Sequence, residues 1–152
     1  MGAVIALRLA AEPERAVGAV VLVGGFFPPS RNGRTLAASV ADYARHRGAF
    51  VREARGRAAA PGSRRGGAGA LRSLARLGVR PGAFAVLAGA VRAPVLIVHA
   101  RDDHHVPLDF ALAAAGRRPG WSVRVPARGG HHPHVADPEG WLRAVVPWLD
   151  AV

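Results

Sequence analysis

Long apolar runs with few polar interruptions dominate both ends of the chain. Residues 2–12 carry alanine, valine, isoleucine and leucine nearly all around a helix, which is typical of a helix pressed against a sheet. The run "AVGAVVLVGG" comes next and is closed by two glycines. Because this run is continuous rather than alternating, it predicts a strand buried on both faces, as in a parallel sheet.

The same kind of pattern returns in the last third of the chain. Residues 94–99 predict a second buried strand, "WSVRVPA" predicts a third, and "DFALAAAGRR" predicts a helix between them. A terminal helix is expected to begin with Asp137 as its N-cap and Pro138 in its first turn. The order helix, strand, strand, helix, strand, helix is that of a doubly wound α/β fold with right-handed crossovers.

The segment between these two ends has a different character. Residues 27–92 are rich in arginine and contain the stretch "APGSRRGGAGA", which we interpret as a flexible turn because no strand precedes its glycines. Helices are expected near residues 33–57, 69–78 and 82–91. We therefore divide the chain into a core of residues 1–26 and 93–152 and a helical segment inserted between them.

Charge is concentrated in the same inserted segment. The chain has a formal net charge of +11, and residues 31–92 hold 13 arginines against Asp42 and Glu53, so the remainder is neutral. All of these basic residues are arginine, and alanine and glycine are abundant, so biased codon usage is the favoured explanation. An anionic substrate or acyl carrier is the second interpretation. Nucleic acid is the third, and no binding motif or interleaved aromatic residues support it.

Composition also restricts the compartment and the chemistry. The chain has no cysteine, which excludes a disulfide scaffold, a thiolate metal site and a cysteine nucleophile. No apolar run approaches the roughly 18 residues of a membrane span, and the first helix lacks the basic flank of a signal peptide. We expect a cytoplasmic protein without a membrane partner.

Ionisable residues come directly after the second and third predicted strands. The loop "HARDDHHVP" contains Asp102 and Asp103, and the loop "RGGHHPH" contains His131, His132 and His134. Since both loops leave the carboxyl edge of the sheet, an aspartate of one and a histidine of the other are expected to meet. The carboxylate then holds the imidazole in one tautomer and stabilises its protonated form. A metal site is less favoured, because adjacent histidines rarely point the same way, and we predict no metal and no cofactor.

Both loops resemble motifs from the C-terminal part of the α/β-hydrolase fold family. The family's His/Gly-x-x-x-Asp-x-x-Val-Pro pattern reads "HARDDHHVP" here, which places the catalytic acid at Asp103, with Asp102 one residue early. The family's histidine loop reads "GHHPH" and then "DPE" here, which places the general base at His131. Neither motif is decisive alone, but the two in this order, with a strand between them, are fairly specific.

The resemblance also accounts for the first residues of the chain. Family members carry their nucleophile in Gly-x-Ser-x-Gly on a sharp turn before a helix, and "MGAVIALRLA" is similar to the residues after that serine. Met1 would then supply a backbone N–H to the oxyanion hole, and the nucleophile would lie just before it. The serines that the chain does contain lie in no such motif: Ser30, Ser39, Ser63, Ser73 and Ser122.

The resemblance implies a fold and a division of roles. The fold is α/β, a partial doubly wound parallel sheet made of the last three strands of an α/β-hydrolase, with residues 27–92 as a helical cap. Phe26, Phe27 and Val106 are expected to line the substrate pocket. The complete enzyme would act on ester, lactone or related acyl bonds of a small molecule.

Under this interpretation the chain as written is expected to lack its nucleophile and to be inactive, with a missing N-terminal half as its partner. Two alternatives stay open. The first alternative is a non-catalytic remnant or binding module. The second is an aspartate nucleophile upstream, which would make the complete protein an epoxide hydrolase or a dehalogenase.

Overall fold

The computed structural model describes residues 2–25 and 83–152 of the chain. Its helices and strands are α1 (Gly2–Ala10), β1 (Val20–Val23), α2 (Ala83–Ala90), β2 (Val95–Val98), α3 (Leu108–Ala115), β3 (Trp121–Arg124), α4 (Pro133–Ala136) and α5 (Pro138–Leu149). The predicted order of helices and strands is confirmed for these residues, except that the short helix α4 lies in a segment predicted as a loop. The helices predicted near residues 33–57 and 69–78 lie outside the described residues. None of the helices in the two described ranges is long and apolar enough to cross a membrane.

The three strands form one parallel sheet in the order β1–β2–β3. Val20 of β1 lies opposite Val95 of β2, and Val95 lies opposite Trp121 of β3. The parallel arrangement predicted from the unbroken apolar runs is therefore confirmed. Because all three strands run in the same direction, the loops at their carboxyl ends collect at one edge of the sheet.

The central strand, β2, is covered on both faces. Val95 and Ile97 pack into a larger apolar cluster with α1 and α3, and Leu96 and Val98 pack into a smaller cluster with α5. All four side chains are fully buried, and each contributes about 1.5–3 kcal/mol by leaving water. Helices on both faces of a parallel sheet confirm the doubly wound α/β class.

Helix α2 closes the inserted segment and lies against the core. Ala88 is buried, and Phe84 and Leu87 pack against the larger apolar cluster. The helix also contacts α1. The end of the predicted cap is thus attached to the sheet's helical layer, while the division of the chain into core and cap stays a prediction.

The last helix begins as its capping residues predict. The Asp137 carboxylate accepts a hydrogen bond from the N–H of Gly140 at 2.8 Å, and Pro138 is the first helical residue. A Cβ atom at residue 140 would collide with that carboxylate. The N-cap predicted at Asp137 is confirmed.

Candidate active site

Asp103 lies in the loop between β2 and α3, residues 99–107, which we call the acid loop. Its Oδ1 accepts hydrogen bonds from the N–H groups of His105 at 2.8 Å and Val106 at 3.0 Å. Its own N–H donates to the carbonyl of Ala100 at 3.2 Å. An aspartate that binds the backbone two and three residues ahead forms a tight local turn. The carboxylate is therefore buried and fixed by its own neighbours in sequence.

His131 lies in the loop between β3 and α4, residues 125–132, which we call the histidine loop. Backbone pairing between β2 and β3 continues past the strands, with the N–H of His99 donating to Arg124 at 3.0 Å and that of Arg101 donating to Pro126 at 2.9 Å. These bonds hold the start of one loop against the start of the other. The two loops therefore leave the sheet side by side.

The predicted acid and the predicted base meet at this edge. Nδ1 of His131 lies 3.0 Å from Oδ2 of Asp103, and the carboxylate is fully buried while the imidazole is 25% exposed. An ionised carboxylate only accepts hydrogen bonds, so we assign the proton to Nδ1 of His131. This tautomer leaves Nε2 with a lone pair that is available to accept a proton.

The surroundings of Asp103 favour its charged form. Burial raises the pKa of this carboxyl, but the hydrogen bond and the charge of His131 lower it, as do the backbone N–H groups of Val106 and His105. The lowering contributions win, so the pKa of Asp103 lies below its ordinary value of 3.8. The carboxylate is consequently ionised at neutral pH, as a residue that orients and stabilises an imidazolium must be.

A second histidine lies behind the same carboxylate. His99 is fully buried, its Nε2 donates to the carbonyl of Val106 at 2.8 Å, and the same nitrogen is 3.3 Å from Oδ2 of Asp103. Its Nδ1 has no hydrogen-bond partner. Oδ2 of Asp103 therefore lies between two imidazoles. The motif that located Asp103 begins with His99, but nothing in its spacing predicts this contact.

A third loop, the one after β1, also lies close to His131. The N–H of Gly24 donates to Val98 at 3.1 Å, and Gly24 has a φ of 54°. A Cβ there would lie 2.5 Å from the carbonyl oxygen of His131 and 3.0 Å from its Nδ1. Glycine is therefore required for His131 to reach its place. Sequence reasoning missed this role, although the paired glycines that end the first strand were its signal.

Further imidazole rings surround His131. The His105 ring centroid lies 5.1 Å away in a tilted arrangement, and that of His132 lies 4.8 Å away, edge to face. His132 in turn contacts His134 at 5.7 Å, and His134 lies 6.3 Å from Trp141 on α5. These rings join the histidine loop to α5. His105 belongs to the surroundings of the base and was not among the predicted site residues.

The remaining predicted site residues have different positions. Val106 is 6% exposed, and its side chain packs in the larger apolar cluster. Its N–H donates to Asp103, and its carbonyl accepts a hydrogen bond from His99. Its role in substrate binding stays a prediction. Met1, Phe26 and Phe27 lie outside the described residues.

No described cluster of ligating side chains fits a metal ion. Within residues 2–25 and 83–152, no group of three or more histidine, aspartate or glutamate side chains is arranged to hold one. Adjacent histidines such as His131 and His132 instead meet edge to face.

A cleft of about 560 Å³ lies beside the site rather than in it. It opens between the end of β3 and α5, and its lining includes Arg124, Arg128 and Trp141. Residues 125–129 of the histidine loop form part of its walls, but Asp103 and His131 do not. The volume next to the acid–base pair is thus a separate feature of the surface.

Comparison with known proteins supports this fold. No protein-family model matches the chain, and no curated protein matches it. Among solved structures, the esterase RhEst1 from Rhodococcus sp. ECU1013 aligns with a TM-score of 0.52 and 24% identity, over 93% of this chain and 59% of that one. The Pyrococcus furiosus esterase PF2001 aligns with a TM-score of 0.52 and 16% identity, over 98% of this chain and 49% of that one.

Both structures have the α/β-hydrolase fold, so the resemblance predicted from the two motifs is confirmed at the level of the fold. The chain spans between half and three fifths of the length of these two esterases. Its described residues, 2–25 and 83–152, contribute three parallel strands to that fold.

Proposed function

We propose that Asp103 and His131 are the acid and the base of an ester hydrolase whose C-terminal part is this chain. The observation that carries the proposal is the 3.0 Å contact between Nδ1 of His131 and Oδ2 of Asp103 at the carboxyl edge of a parallel sheet. Open α/β sheets bind their ligands at that edge. The share of the two esterases that the chain spans supports the proposal that further sheet and loops complete the enzyme.

In this mechanism Nε2 of His131, the ring nitrogen that does not contact Asp103, transfers the proton. Nε2 takes the proton from a hydroxyl nucleophile while the hydroxyl oxygen bonds to the ester carbonyl carbon. The resulting imidazolium is stabilised by the Asp103 carboxylate and then donates its proton to the departing alcohol as the ester C–O bond breaks. Water, deprotonated by the same nitrogen, then attacks the acyl carbon. The bond to the nucleophile oxygen breaks, that oxygen takes the proton back from the imidazolium, and the acyl group leaves as a carboxylic acid.

The hydroxyl nucleophile is the part that the described residues do not supply. Ser122 is the one serine, threonine or tyrosine in residues 2–25 and 83–152. It is the second residue of β3, in register with Leu96, and so lies away from the carboxyl end of the strand. We propose that the nucleophile is a serine that precedes α1, with the N–H of Met1 as an oxyanion donor and Phe26, Phe27 and Val106 around the substrate.

The proposed substrate is a small molecule with an ester, lactone or related acyl bond. The names of both structural neighbours describe them as esterases, which supports this substrate class. The lowered pKa of Asp103 and the unprotonated Nε2 of His131 suit the transfer of a proton from a hydroxyl to an alcohol leaving group.

The test compares two products of the gene. One is the chain as printed, and the other includes the in-frame codons that precede its first codon. Both are assayed with p-nitrophenyl acetate and butyrate, with a lactone, and with an epoxide and a haloalkane. We expect the longer product to hydrolyse the esters or the lactone and the printed chain to be inactive.

The variants locate the activity. His131→Ala in the longer product should lower kcat by about 10⁴-fold or more. The control is His134→Ala, which removes an exposed imidazole of the same region and should leave kcat unchanged. An in-frame stop codon directly upstream would contradict the proposal and favour a non-catalytic remnant. Turnover of the epoxide or haloalkane instead of the esters would replace serine with an aspartate nucleophile.

A further inference from the structure

The residue beside the predicted acid makes its own link between the two loops. Oδ1 of Asp102 accepts a hydrogen bond from the N–H of Gly130 at 2.9 Å, and its Oδ2 accepts a longer one from Gly129 at 3.4 Å. These are the two residues that immediately precede His131. Asp102 therefore binds the backbone of the histidine loop, and Asp103 binds the ring that the loop carries.

Asp102 binds two consecutive glycines, whose backbone is flexible unless other groups restrain it. Gly129 has a φ of 136° and Gly130 a φ of 56°, conformations that residues with a side chain rarely adopt. A Cβ at Gly129 would also lie 2.8 Å from Pro133. Two consecutive glycines lose more conformational freedom on ordering than any other pair of residues, so an external contact is needed to fix them.

The carboxylate of Asp102 is well suited to fixing these glycines. Two N–H groups that converge on one carboxylate form charge-assisted hydrogen bonds, which are about twice as strong as those between neutral groups. The bonds span 27 and 28 residues of sequence, so they fix one loop relative to the other. The carbonyl oxygen of His131 lies so near Gly24 that a Cβ there would be 2.5 Å from it. The loop is thus held between Asp102 and the end of β1.

We propose that Asp102 is a positioning residue that keeps Nδ1 of His131 on Asp103 by fixing the two glycines before it. The proposal rests on the proposed function in taking His131 as the base. The adjacent aspartates have complementary roles, since Asp103 sets the tautomer of the imidazole and Asp102 sets where the imidazole lies. Without Asp102, the glycines become free to rotate and the imidazole samples positions away from Asp103.

The experiment observes the imidazole directly in the printed chain. In protein labelled with nitrogen-15, the two ring nitrogens of His131 report how its proton is shared between Nδ1 and Nε2. We expect the Nδ1–H form to dominate in the original chain. Asp102→Ala should lower the ratio of Nδ1–H to Nε2–H forms by about tenfold, which corresponds to the loss of one hydrogen bond to a charged group.

Two further variants separate positioning from general stability. Asp109→Ala removes an exposed aspartate from the first turn of α3 and should leave the His131 ring signals unchanged. Asp102→Asn keeps an oxygen for the N–H of Gly130 and should give a ratio between those of the original chain and Asp102→Ala. Ring signals unchanged in a folded Asp102→Ala overturn the proposal, and so do ring signals unchanged in Asp102→Asn if the alanine variant does not fold.

The outcome is independent of whether the protein is an esterase. A His131 ring that responds to Asp102→Ala supports positioning even if the longer product hydrolyses no ester. In an active longer product, we expect Asp102→Ala to lower kcat about tenfold with little change in KM. Full kcat in that variant would overturn the positioning role and leave the proposed function standing.

Discussion

The acid loop and the histidine loop are fixed in opposite ways. Asp103 is held by the N–H groups of His105 and Val106, which are two and three residues away. His131 is held by contacts with Asp103 and Gly24, and the glycines before it are held by Asp102, all distant in sequence. The acid loop is held by hydrogen bonds within itself, whereas the histidine loop is held by contacts with other loops. Changes at the same edge of the sheet should therefore have unequal consequences.

The largest expected effect comes from breaking the contact between the two loops. Asp103→Asn keeps an acceptor for the local turn but places an amide where His131 needs an acceptor, which favours the wrong tautomer. We expect kcat for p-nitrophenyl esters in the longer product to fall by about 10⁴-fold. Asp109→Asn is the matched control. A loss smaller than about tenfold would mean that Asp103 does not orient the base.

A change at Gly24 should disturb the histidine loop and spare the acid loop. Gly24→Ala places a methyl group 2.5 Å from the carbonyl of His131 in a left-handed conformation. That backbone alone costs about 1–2 kcal/mol, so we expect the free energy of unfolding to fall by at least about 2 kcal/mol. Urea denaturation measures it. Gly18→Ala, where a Cβ meets nothing within 4 Å, should change it by less than about 0.5 kcal/mol.

Lowering the pH should change the free energy of unfolding by less, because it protonates Asp103 but replaces no side chain. The pKa of Asp103 is lower in the folded chain than its ordinary value, so its carboxylate stabilises the fold above about pH 4. This contribution is lost as the pH falls through the folded pKa. The difference in unfolding free energy between the original chain and Asp103→Asn should therefore shrink between about pH 5 and pH 3. A constant difference over that range would argue against the lowered pKa.

The smallest effect is expected at the start of α5, which follows the histidine loop and α4. Asp137→Ala removes the cap on Gly140 and should lower the free energy of unfolding by about 1 kcal/mol. Faster hydrogen exchange at the Gly140 amide should accompany it. Asp137→Asn retains a capping oxygen and should stay within a few tenths of a kcal/mol. Equal losses of unfolding free energy in both variants would show that the charge of Asp137, and not its hydrogen bond to Gly140, stabilises the start of α5.

Much of the architecture was predictable because it depends on local pattern. The unbroken run at residues 95–98 predicted a strand buried on both faces, and the structure places β2 between two apolar clusters. The capping pair Asp137 and Pro138 predicted where α5 begins. The acid loop belongs to this group too, since its turn is made by residues within the motif itself.

The sequence by itself determined the parallel strands, the burial of β2 on both faces, the start of α5 and the two residues that meet at the sheet edge. Only the tertiary structure decided how the imidazole is held, through Asp102 and Gly24. Hydrogen bonds to near neighbours leave a pattern of residue types at fixed spacing. Contacts that cross 27 or more residues depend on strand register and loop path, for which a single sequence carries no spacing rule.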